Sequence, residues 1–242
     1  MEKPSSPINL FVTLFFVGGA NDFKNSVTKV DNWVEALKST KDVDHLGNTI
    51  WNFSNVHLHQ EISEIRTQFR VRKTIRIETI EEEERTINAL KKVDAHIRLK
   101  SGLVEIWSGD KDLCLECIRK IAFSLFGDPK YFSKVKFNDL DFEKIRTKFV
   151  EITGTKLDKL RHPHLKEIGF KGFDVTRSGE YVTFRRDSSG KIKMLSGWMV
   201  TPISVVPVSI YRWGRIRFTF VDSIDTNIVE KVITEIERII VE

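Results

Sequence analysis

The stretch TQFRVRKTIRI, Thr67 to Ile77, alternates apolar and basic side chains, which is the period of a β-strand. In that register Phe69, Val71, Ile75 and Ile77 share one face, interrupted only by Lys73. The other face carries Arg70, Arg72 and Arg76, with Arg66 and Gln68 leading into it. One side can be buried. The other is a row of guanidinium groups that either faces water or meets something negative.

Working outward, the strand sits in a run of similar elements. An apolar strand is predicted from about Ile8 to Val17. Glycines follow, then a helix starting near Asn21 with Phe23, Val27, Val30, Trp33, Val34 and Leu37 at helical spacing. Further strands are predicted near Thr49 to His57 and across the quoted stretch. DAHIRLKSGLVEIWSG reads as a hairpin turning at Ser101-Gly102, and a helix from about Lys111 to Phe126 follows it. Gly127 can end that helix, and Asp128-Pro129 discourages its resumption.

Beyond this break the order recurs. SKVKF reads as a short strand, and DFEKIRTKFVEIT as a helix with Phe142, Ile145, Phe149 and Ile152 on one face. Strands are predicted from Thr155 to Leu160 and through EYVTFRRDSSGKIKMLSGWMV, with a turn at Ser188-Ser189-Gly190. VPVSIYRWGRIRFTFV is a hairpin turning at Trp213-Gly214, and a helix from about Asp225 to Val241 closes the chain. The closing units match best. GLVEIWSGD and GRIRFTFVD each start on the turn glycine, space their apolar residues alike and end on an aspartate, Asp110 or Asp222. The expectation is therefore α+β: two related halves, residues 1–127 and 128–242, forming a curved antiparallel sheet with four main helices on one face.

A hairpin glycine, an alternating strand and a long amphipathic helix, occurring in two halves, resemble the TATA-binding-protein architecture. That resemblance covers the element order over most of the chain and implies a duplicated sheet-and-helix fold that binds DNA. The phenylalanine pairs with which that family kinks DNA have no counterpart here, so bending is not implied. A second, fainter resemblance is to the centromere protein N family of inner-kinetochore proteins. It rests on FGDPKYFSKVKFNDLDFEKIRTKF, residues 126–149, and implies a sheet-and-helix fold that binds nucleic acid and partner proteins.

Composition bounds the function classes. The chain has 242 residues, 40% hydrophobic and 30% charged, as expected of a soluble globular protein. Its longest apolar run, NLFVTLFFV, is too short to cross a bilayer and lacks the flanks of a signal peptide. No membrane association is expected. Two cysteines, Cys114 and Cys117, give no disulfide framework, so a reducing, intracellular location is the default. Only two glutamines accompany abundant Lys, Glu and Ile, a bias shared with thermophile proteins. The net charge of +5 favours anionic partners without identifying one.

Few residues carry recognisable chemistry. CLEC has a spacing suited to zinc, but no second such pair exists, and both thiols fall on the apolar face of their helix. His57 with His59, and His162 with His164, are spaced to point the same way on a strand, with Glu61 or Glu167 nearby. Nothing in the sequence brings the pairs together, and surface histidines account for them. ETIEEEERT, Glu78 to Thr86, reads as a solvated turn or a first helical turn. No phosphate-binding loop, nucleophile elbow, dinucleotide fingerprint or zinc-protease motif is present. No cofactor, metal or catalytic residue is therefore assigned.

The basic phase recurs elsewhere. Arg98 and Lys100 alternate with Ile97 and Leu99. Lys191 and Lys193 alternate with Ile192 and Met194, and Arg215 and Arg217 with Ile216 and Phe218. Tyr211 and Trp213 share the outward phase of the last hairpin, and glutamate intrudes mainly at Glu78 and Glu105. Cations neutralise phosphates and flat rings stack on bases. A solubilising sheet face would show the same alternation with mixed signs. The sequence thus points to non-catalytic nucleic-acid binding, duplex DNA favoured, with little base readout. The rival is a protein-interaction scaffold or assembly factor offering a sheet edge to a protein partner.

Overall fold

The structure, a computed structural model, describes residues 7–17, 30–78, 84–161 and 164–241. It is α+β, with a large antiparallel sheet of twelve strands and with five α-helices among the described residues. The chain divides into two compact units, Leu14–Ser133 and the combination of Met1–Thr13 with Lys134–Glu242. The division falls inside the first strand, β1 (Ile8–Val17), which supplies residues to both.

In the unit Leu14–Ser133, strands β2 (Lys41–Val43), β3 (Thr49–His59), β4 (Glu64–Glu78), β5 (Glu84–Arg98) and β6 (Leu103–Trp107) lie side by side in chain order. Helices α1 (Val30–Ser39) and α2 (Lys111–Phe126) complete it. The alternation read from Thr67 holds through Val71, Ile75 is half-buried, and the Ile77 side chain lies outside the described residues. Phe69 and Val71 are buried with Trp51, Phe53, Val93, Ala95 and Ile97, and the helices add Trp33, Leu37, Leu113, Ile118 and Ile121 to that core. Burying each such side chain contributes roughly 1.5–3 kcal/mol. Lys73, the one cation in that phase, is accommodated because its Nζ reaches Glu116 of α2 at 2.5 Å.

Strands β4 and β5 pair along their whole lengths, from Glu64 opposite Arg98 to Glu78 opposite Glu84. Strand β5 therefore starts ten residues before Asp94, where the expected hairpin began, and part of the acidic run is extended rather than a turn. Glu78 and Glu84, from the acidic run, belong to the ladder, and residues 79–83 lie outside the described residues. In β3 a bulge at Asn55, with φ 53°, shifts the register between Ser54 and His57. It brings Phe53 and Val56, three positions apart, into the same core.

Helix α2 has clear stops. The Asp110 side chain accepts from the backbone N–H groups of Asp112 and Leu113, and Gly127 ends the helix with φ 70°. Cys114 and Cys117 are fully buried on its sheet-facing side. The described part of α1 begins at Val30, so the expected contributions of Phe23 and Val27 lie outside the described residues.

The other unit contains β8 (Phe149–Asp158), β9 (Glu167–Lys171), β10 (Lys191–Val200), β11 (Val205–Tyr211) and β12 (Arg215–Phe220). Their order is β12-β11-β10-β8-β9, with the first half of β1 paired to β12. Its helices are α3 (Asp139–Arg146), α4 (Gly179–Ser188) and α5 (Thr226–Val241). A short strand, β7 (Phe132–Lys134), lies at the division of the units and starts one residue before SKVKF.

Two sequence expectations are corrected here. The helix over residues 141–153 stops at Arg146, because Phe149 to Ile152 pair with β10 as the start of β8. Phe142 and Ile145 stay on the helix, whereas Ile152 is buried from a strand. The segment Glu180–Ser188 is helical rather than extended. Ser178 caps it by accepting from the Tyr181 N–H, and Ser189 ends it with φ 52°. This adds a fifth helix to the expected four.

Candidate nucleic-acid interface

The face of β3, β4 and β5 turned away from the helices is built by ladder register. Residues directly opposite one another in a sheet share a face. Lys41 pairs with Asn52, Asn52 with Arg70, and Arg70 with Lys92. Three cations and one amide thus form a row across four strands. The next positions along β4 and β5, Arg72 opposite Leu90 and Thr74 opposite Asn88, continue this face.

Between these rows lies a cleft of about 310 Å³. Arg70 and Arg72 line it from β4, Asn88 and Leu90 from β5, and Thr49, Ile50 and Asn52 from β3. The Arg70 guanidinium is aimed from behind. Its Nε donates to Gln68 Oε1 at 3.0 Å, and Gln68 Nε2 donates to Asp94 Oδ1 at 3.1 Å. Arg72 Nη1 lies 3.6 Å from Asp44 Oδ2. Asp44 is fixed by the backbone N–H of Asn48, and that bond leads the effects holding its carboxyl below the usual range. Asn88 Oδ1 accepts from Thr74 Oγ1 at 3.2 Å, which leaves the Asn88 amide nitrogen as a donor. Two oriented guanidiniums beside amides and an apolar side chain suit a phosphate next to a flat organic group.

Arg76 lies further along β4 and is exposed. Lys100 is exposed too, but in the turn after β5 rather than on a strand.

Arg66 and Arg98 lie on the same outward phase and are each paired with a carboxylate. Arg66 Nε meets Glu64 Oε1 at 2.6 Å, and Arg98 Nε meets Glu105 Oε1 at 2.5 Å. Glu105 looked like an isolated intrusion on a basic face. It is completely buried and is the counter-ion of Arg98, with Trp107 Nε1 donating to its other oxygen at 3.1 Å. His96, opposite both Arg66 and Glu105 in the ladder, packs at a tilt against Trp107, ring centroids 4.8 Å apart, and sits 3.5 Å from Glu64 Oε1. Burial pushes Glu105 up to about 7, partly offset by Arg98. Burial first, then the nearby Arg66 and Arg98 charges, pushes His96 down to about 3. An uncompensated charge beside the buried Glu105 would be costly, and Arg98 supplies its ion-pair partner.

The second set of expected residues, in the other unit, is also largely engaged. Lys193 and Lys156 both bind Glu167, whose carboxyl the Lys193 hydrogen bond holds below the usual range. Arg215 stacks over the Phe11 ring at 4.3 Å, and Arg217 Nη2 donates to Ser209 Oγ at 3.1 Å. Tyr211 is half-buried opposite Arg215. Trp213 is exposed at its turn, with Lys136 Nζ 5.1 Å from the ring centroid. Lys191 is exposed.

Lys41, Asn52, Asn88, Leu90 and Lys92 were missed by the sequence reading. The phase of Arg98 carried back through His96 and Asp94 reaches the last three, once β5 is known to start at Glu84. His57 and His59 are exposed on β3, and no group of three His, Cys, Asp or Glu among the described residues is arranged to hold a metal ion. No helix among them is long and apolar enough to cross a membrane. No protein-family model and no curated protein matches this chain, so the functional reading rests on its own residues.

Proposed function

We propose that this protein binds nucleic acid without catalysis, through phosphate contacts made by the outer face of β3, β4 and β5. The supporting observation is the cleft flanked by Arg70 and Arg72, with Lys41 and Lys92 on the cross-strand row of Arg70. Phosphate neutralisation by such cations releases condensed counterions, the main source of sequence-independent affinity, and extends to duplex DNA. The test compares duplex and single-stranded DNA binding by fluorescence anisotropy for the protein, Arg70→Ala, Arg72→Ala and Lys73→Ala. Lys73 removes equal charge from the same strand but faces α2. Loss of affinity in both arginine variants, with little change in Lys73→Ala, supports the reading. Equal loss in all three reduces it to net charge.

A second reading, a protein-interaction scaffold, draws on one apolar surface. Across the β10–β11 ladder Trp198 faces Pro207 and Val200 faces Val205. Trp198, Val200 and Val205 are exposed there, as is Ile203 in the turn between the strands. The relatedness of the two halves is likewise a proposal. It is supported by the closing pattern of each unit, a hairpin whose last strand neighbours β1 and then a long helix. An internal superposition on an experimental structure tests it.

A further inference from the structure

Resting on the nucleic-acid reading, we infer that the Arg70–Arg72 cleft is a subsite for one unpaired nucleotide, its phosphate held by the guanidiniums and its base laid against Leu90. Leu90 lines the cleft together with both arginines. It is 57% exposed in the middle of a strand whose same-face neighbours are Asn88 and Lys92, and it stands directly opposite Arg72. A base lying in the cleft would cover its exposed side chain and remove that apolar surface from water. The cleft volume of about 310 Å³ lies at the lower end of the range for small-ligand sites, the scale of a single nucleotide rather than a duplex surface.

The polar lining is disposed accordingly. Arg70 is pre-oriented by the Gln68–Asp94 relay, so little rotamer freedom remains to be lost on phosphate binding. The Asn52 and Asn88 amides line the same cleft and offer a donor, and in Asn52 also an acceptor, to the edge of a base. A base within a duplex has both faces stacked and cannot present one to Leu90. A base in a single strand, loop or frayed end can.

The experiment uses the full chain and three 5′-labelled DNA probes of equal length: oligothymidine, a strand of abasic residues with the same phosphates, and a duplex. Anisotropy titrations at one salt concentration read their affinities. Oligothymidine is expected to bind at least tenfold more tightly than the abasic strand. Leu90→Ser should erase that gap, and Asn88→Ala should narrow it. Arg70→Ala should weaken both single strands alike.

Equal binding of oligothymidine and the abasic strand overturns the nucleotide subsite. If that binding still depends on Arg70, the phosphate reading stands without it. A tenfold gap that survives Leu90→Ser also overturns the subsite, because the base is then held elsewhere. Failure of all three probes to bind overturns the underlying nucleic-acid reading as well.

Discussion

Replacing Glu105 by Gln probes the buried charge cluster by removing one titratable group while keeping the side chain's shape. Glu64, Arg66, Arg98, His96 and Trp107 surround it in contact or ladder register. Its carboxyl is raised from 4.5 to about 7 in the folded protein. A raised pKa means the native state holds a proton that the unfolded state has released. Its contribution to stability is therefore fully present below pH 4.5 and is lost as pH rises to about 7. His96 works in the opposite direction. Lowered from 6.5 to about 3, it contributes stability above 6.5 and loses it as pH falls toward 3.

Between about pH 4.5 and 6.5 the two effects cancel. The native state holds one proton on Glu105 and the unfolded state holds one on His96, so this cluster adds no slope. Glu105→Gln unmasks the histidine. Relative to the parent, the variant should gain about 1.4 kcal/mol per pH unit across the Glu105 window, on the order of 3 kcal/mol in all. Urea unfolding followed by tryptophan fluorescence at pH 4.5, 5.5, 6.5 and 7.5 measures the difference curve. A flat difference between variant and parent would refute the proton assignment, whatever the absolute loss from leaving Arg98 without its partner.

Four further outcomes are expected. Replacing Cys114 and Cys117 together with Ala should cost about 2 kcal/mol or more through lost packing. Burial raises the Cys117 thiol well above its usual range, so native protein should react with a thiol reagent only as fast as it unfolds. Gly197→Ala should destabilise by several kcal/mol in thermal unfolding, because a Cβ there would overlap the Glu151 backbone carbonyl at the β8–β10 bulge. Asp110→Ala removes the α2 cap and should cost about 1 kcal/mol, whereas Asp110→Asn should recover most of it.

Much of the architecture was legible where short-range chemistry decides it. The turns at Gly102 and Gly214 require positive φ, 75° and 69°, and both glycines announced their hairpins. Asp110 and Gly127 bounded α2 in the same way. The misread segments are those where partners distant in sequence decide. Phe142, Ile145, Phe149 and Ile152 fit one helical face, yet Phe149 pairs with Met199, some fifty positions away, and that pairing prevails. Tyr181 to Phe184 are aromatic or β-branched residues with strand propensity, and the serine cap at 178 was the overlooked signal.

The site was only half visible for the same reason. Arg70 and Arg72 announced a basic face. Which cations remain available and which serve the core depends on Glu64, His96 and Glu105 meeting across three strands. Nothing in a local window reveals that Arg98 ends against a buried carboxylate while Arg70 borders an open cleft.

The salt dependence of duplex DNA affinity separates phosphate contact from a merely solvated arginine row, comparing the protein with the triple variant Arg70→Ala, Arg72→Ala, Arg76→Ala. Each lost phosphate contact lowers the slope of log affinity against log salt by roughly 0.9. A linear dependence is expected for the parent, with a slope flatter by about two to three in the triple variant across unrelated sequences and an unchanged unfolding midpoint. A folded triple variant that binds with the parent's slope would contradict it. The arginine row would then be a solvated sheet face, and the apolar surface at Trp198 the better guide to function.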